Sequence, residues 1–64
     1  MTSAQTELEQ RLRIYRNRVE ASVLALLQYK ANPHLFAELE RARSEEEDAR
    51  LAVLEECERR EGQA

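Results

Sequence analysis

The stretch Lys30-Ala31-Asn32-Pro33-His34-Leu35-Phe36 decides how this chain of 64 residues folds. Proline fixes its own φ, lacks an N–H and pushes the residue before it away from the α region. Asparagine is among the best helix N-caps, and proline is favoured at the first helical position. One dipeptide can therefore end a helix, turn the chain and start another. Pro33 is the one proline and Gly62 the one glycine, so nothing else interrupts the flanking stretches. The spacing predicts one domain over 1–64, with a helix over about 5–31, a turn at 31–33 and a second helix over about 33–61. At about 1.5 Å per residue each helix is about 40 Å long. The expected fold class is all-α, an antiparallel two-helix hairpin of coiled-coil type. A single helix kinked at Pro33 is the alternative, which an asparagine before the proline disfavours.

Working upstream, Thr6-Glu7-Leu8-Glu9 matches the S/T-x-x-E capping box, and Thr2-Ser3-Ala4-Gln5 offers an earlier start. Leu8, Leu12, Tyr15, Val19, Ser22, Leu26 and Tyr29 then recur at alternating spacings of four and three, a heptad stripe broken by Ser22. Downstream the stripe is Leu35, Leu39, Ala42, Glu46, Ala49 and Val53, with Cys57 close to the line. Glu7 and Arg11, Glu9 and Arg13, Glu46 and Arg50, Glu55 and Arg59, and Glu56 and Arg60 all run in the favourable i, i+4 order. Each such pair is worth about 0.2–0.5 kcal/mol on an exposed helix. Gly62 is the expected residue just past the second helix.

A reversal between Asn32 and Pro33 makes the numbers of facing residues sum to about 65. Leu26 then faces Leu39, Tyr29 faces Phe36, Leu12 faces Val53 and Leu8 faces Cys57, so two stripes read independently meet in register. Val19 would face Glu46. This is either a polar layer that fixes register or, as favoured here, a seam-edge carboxylate pairing with Arg50 or an arginine of the first helix.

Further apolar residues lie off this seam. Ala21, Leu24, Leu27 and Ala31 fall elsewhere on the first helix at 100° per residue, and Phe36, Leu51 and Leu54 do so on the second. A hairpin cannot cover them alone, so these seven are the expected dimer or partner interface. The simplest occupant is a second copy in an antiparallel pair, with Leu24, Leu27 and Phe36 meeting Leu51 and Leu54 of the other chain in a four-helix bundle. The other candidate is a different protein docked on the same surface.

Few function classes survive the composition. Charged residues are 36% of the chain and the net charge is −3, too small to select a polyanionic partner. One cysteine, Cys57, excludes an internal disulfide framework and fits a reducing compartment. No basic-then-apolar leader opens the sequence, and the longest apolar run, Val23 to Leu27, falls far short of the roughly 20 residues that span a bilayer. The expected location is cytoplasmic, with no membrane contact. His34 has no second ligand at metal spacing, and Glu56 and Glu58 beside Cys57 disfavour its thiolate. The turn and the open end hold His34 and Cys57 apart, so no nucleophile–base pair forms within the chain. With no phosphate-binding loop, nucleophile elbow or cofactor motif, the chain is read as non-enzymatic and without cofactors.

Arg11, Arg13, Arg16 and Arg18, with Tyr15 among them, form the one local basic cluster. Arginines on phosphate with tyrosine stacking would make a nucleic-acid contact. In the predicted register, however, Glu45-Glu46-Glu47-Asp48 lies opposite, and Tyr15 belongs to the seam. Neutralisation across the hairpin is the cheaper account. The expectation is a protein-binding module that self-associates as a homodimer and acts as a regulator, inhibitor or adaptor of an unidentified protein. An RNA- or DNA-binding dimer and a structural subunit of a larger assembly are the alternatives.

Overall fold

The computed structural model describes the backbone from Ser3 to Gln63 and the side chains of residues 6–62. Two helices, α1 (Ser3–Ala31) and α2 (Phe36–Gln63), pack against each other, joined by a 3₁₀ turn at Pro33–Leu35. The hairpin is a flat rod of 48 × 20 × 11 Å, and the chain reverses fully at Asn32. α1 begins at Ser3, upstream of Thr6, so Thr6 lies within the helix and not at its cap. Thr2, the cap of the earlier candidate start, is outside the described residues. α2 runs to Gln63, so Gly62 is helical, and no glycine has a positive φ.

Asn32 performs both halves of the turn. Its N–H donates to the Gln28 carbonyl at 2.8 Å and the Tyr29 carbonyl at 3.2 Å, closing α1. Its own backbone is extended, with φ −144° and ψ 99°. Its Oδ1 accepts from the His34 N–H at 3.1 Å, and its carbonyl accepts from the Leu35 N–H at 3.0 Å. A proline follows with its φ already set for a helix, so one tight 3₁₀ turn precedes α2 where the sequence predicts helix from residue 33. The Tyr29 and Phe36 rings close this end, centroids 5.7 Å apart and tilted by 55°.

The seam follows the predicted stripes along most of its length. Leu8, Leu12, Tyr15, Val19, Ser22 and Tyr29 of α1 are half-buried, as are Leu35, Ala42, Glu46 and Val53 on the α2 side, and Leu39 and Ala49 are buried. Two positions differ. Ala25 is buried in place of Leu26, which is 44% exposed, and Glu56 is buried in place of Cys57, which is exposed. Toward the turn the small Ala25 faces inward and Leu26 lies to the side, a rotation of α1 that heptad spacing does not specify. At Cys57 the spacing itself was broken: continuing the alternation of four and three from Val53 leads to Glu56.

The core is thin. Ala25, Leu39 and Ala49 are the buried apolar residues among those described, and only one of them is large.

Candidate interaction surface

Both helices are right-handed and run in opposite directions. The residue just before an inward-facing one therefore lies on one broad side of the hairpin for either helix, and the residue just after lies on the other. Side-chain contacts agree with this division. Arg18 and Glu45, which precede the inward Val19 and Glu46, meet at 3.2 Å. They share a shallow groove with Ile14, Asp48 and Ala49, and this is the Ile14 side. Glu9, Leu12, Arg13 and Arg16 line a second groove on the opposite, Leu26 side.

Among the described residues, eight large apolar side chains are left 44–59% exposed, and they fall on several surfaces. By position, Ile14 and Leu24 belong to the Ile14 side together with Ala21, while Val23, Leu26 and Phe36 belong to the Leu26 side. Leu27 and Ala31 take the outer edge of α1 and Leu51 that of α2, while Leu54, just after the half-buried Val53, falls between that edge and the Leu26 side. All seven residues of the predicted interface are exposed. The fold does not gather them into one patch: Leu24 and Phe36 lie on opposite sides at the turn end. Ile14, Val23 and Leu26 join the exposed set. Val23 and Leu26 stand in the apolar run from Val23 to Leu27, and that run was the signal for them.

The arginine cluster divides as well. Arg11 donates to the Ala52 carbonyl at 2.7 Å across the hairpin and pairs with Glu7 at 2.9 Å. Arg18 pairs with Glu45, whereas Arg13 and Arg16 are exposed and form no ion pair with a described residue. Glu46 is half-buried, and Arg50 reaches past it to Glu47. Of the five expected i, i+4 pairs, Glu7 with Arg11 and Glu56 with Arg60 form, the latter at 3.6 Å. Arg50 and Arg59 instead take the carboxylates three residues before them, Glu47 and Glu56.

Glu56 is the charged group that sequence reasoning missed. Only 1% exposed, it accepts from Arg59 Nη2 at 2.7 Å. Arg59 also reaches Glu7 at 3.4 Å, so Glu56, Arg59, Glu7 and Arg11 run across the open end from one helix to the other. The Glu56 carboxylate lies against the guanidinium groups of Arg59 and Arg60. The Arg59 hydrogen bond therefore outweighs desolvation and lowers the pKa of Glu56, with Arg59, Arg11 and Arg60 adding to the effect as charges. Glu47 is lowered in the same way by its hydrogen bond to Arg50.

His34 is exposed in the turn, and its backbone N–H is bound by Asn32. Among the described residues no three His, Cys, Asp or Glu side chains gather as a metal-ligand set, and no helix is long and apolar enough to cross a membrane. Comparisons with protein-family models, curated proteins and solved structures give no match for this chain.

Proposed function

We propose that this hairpin is a non-enzymatic protein-binding module that self-associates into a four-helix bundle and acts as a regulator, inhibitor or adaptor. One observation carries the reading: among the described residues, eight large apolar side chains stand outside a core with one large buried apolar residue. With so little apolar surface buried, a chain of this size commonly completes its core by associating with a partner. Ala21, Leu24, Leu27 and Ala31 follow helical spacing from the Ile14 side onto the outer edge of α1, and Leu51 and Leu54 make a shorter stripe on α2. Such stripes suit a groove or helix on another protein.

The nucleic-acid reading is weaker. Arg11 and Arg18 are engaged within the hairpin, and Tyr15 is half-buried in the seam, poorly placed to stack on a base.

Sedimentation equilibrium on the intact chain tests self-association, with a mass of two chains expected and a stable helical monomer overturning it. Capture of partners by the intact chain and by the Leu24→Glu, Leu27→Glu double variant tests docking. The variant should lose captured proteins while staying helical; an unchanged set would mean the wrong stripe. Salt-sensitive RNA or DNA binding lost on neutralising Arg13 and Arg16 would favour the nucleic-acid reading instead.

A further inference from the structure

We infer that the second copy packs head to tail on the Leu26 side, α1 against α1 of the partner, with Leu26 of each chain over Leu12 of the other. The inference rests on the self-association proposed above and specifies its face and direction.

The hairpin's exposed area leaves room for a partner. The hairpin exposes 5197 Å², whereas a compact monomer of its 7.5 kDa exposes about 4,200 Å² by mass scaling. The excess of about 1,000 Å² is close to the roughly 800 Å² that each partner contributes to a standard interface. The direction of the heptad stripe selects the face. In a four-helix bundle the stripe points at the bundle axis, between the two neighbouring helices. Leu12, Val19 and Leu26 are spaced by seven, and the last is 44% exposed, on the same side by position as Val23 and Phe36. At Leu26 the stripe is thus turned from α2 toward the Leu26 side, and Leu12 lines the groove on that same side. The same bisecting direction on the Ile14 side would bury Arg18, Glu45 and Gln28.

Charge sets the direction. Glu9, Arg16, Glu20 and Lys30 each follow an inward residue of α1 on this side, and none forms an ion pair with a described residue. With two α1 helices antiparallel about Val19, facing numbers sum to about 38. Leu26 then lies over Leu12, Lys30 near Glu9, and Glu20 within a turn of Arg16, each pair occurring twice by symmetry. Turning both copies the same way would instead set α1 over α2 of the partner, with Lys30 against Phe36 and Val23 against Arg43.

The test attaches spin labels at the exposed turn through His34→Cys in a Cys57→Ser chain. Head to tail, the labels lie roughly 40 Å apart, twice the rise from Val19 to the turn. A dimer with labels within about 20 Å overturns the direction while leaving self-association intact, and a monomeric wild type removes the reading beneath it. Lys30→Glu should weaken the dimer roughly tenfold, with Glu9→Lys in the same chain restoring it; no rescue overturns the pairing. Leu26→Glu should give a helical monomer, and a dimer surviving that change overturns the face.

Discussion

Glu56 occupies a position where a heptad asks for an apolar side chain, and Arg59, Arg60 and Arg11 answer its charge. Because its folded pKa lies below the ordinary carboxylate value, its contribution to stability is present above that value. The contribution is lost as pH falls through the folded pKa. Glu47, lowered by Arg50, acts in the same direction. Glu56→Gln should therefore lower Tm at neutral pH and flatten the fall in Tm that the native chain shows below about pH 4. Parallel Tm–pH curves for the two proteins would show that Glu56 contributes nothing through its charge. At this scale the sequence was partly readable. Spacing alone pointed to position 56, but a carboxylate in a seam is costly unless paired, and the apolar Cys57 next door drew the stripe off its line. The partner that makes the burial tolerable, Arg59, lies one turn away at i+3, a pairing an i, i+4 search passes over.

The turn shows the element scale. Asn32 ends α1 through its N–H and opens the turn into α2 through its Oδ1 and carbonyl. Replacing it by alanine keeps the backbone N–H but removes the side-chain acceptor, at a cost of about 1 kcal/mol. For a chain of this length that is a Tm decrease of about 4–8 °C, measurable by circular dichroism. An unchanged Tm would assign the turn to Pro33 alone. The helices and the point of reversal were legible because proline and asparagine act locally, through φ, a missing donor and a short acceptor. Helix ends were less so. Gly62 reads as a stop, yet α2 continues through it to Gln63. Glycine permits a left-handed cap without requiring one.

Across the whole molecule, the balance between buried and exposed apolar surface governs behaviour. Leu39 is the large side chain at the heart of the seam, while Leu24, Leu26 and Leu27 stand in solvent around α1. If a second copy covers part of that surface, folding and association are linked by mass action. Tm should then rise by several degrees as the chain is concentrated a hundredfold. A Tm independent of concentration over that range would mean that the hairpin folds alone.

Local and periodic features let the sequence by itself determine two long helices, a reversal at Asn32-Pro33, their antiparallel register and a surplus of apolar surface. Backbone restriction and side-chain spacing act within one or two turns, so they are written in neighbouring residues. The tertiary structure decided what depends on rotation about the helix axes. Ala25 and Glu56 turn inward; Leu26 and Cys57 turn outward. Leu24 and Phe36 part to opposite sides, and Arg11 and Arg18 bind within the hairpin while Arg13 and Arg16 do not. A rotation of a few tens of degrees leaves the heptad pattern almost unchanged, yet it exchanges which neighbour is buried. Only the packing of α1 on α2 selects that angle.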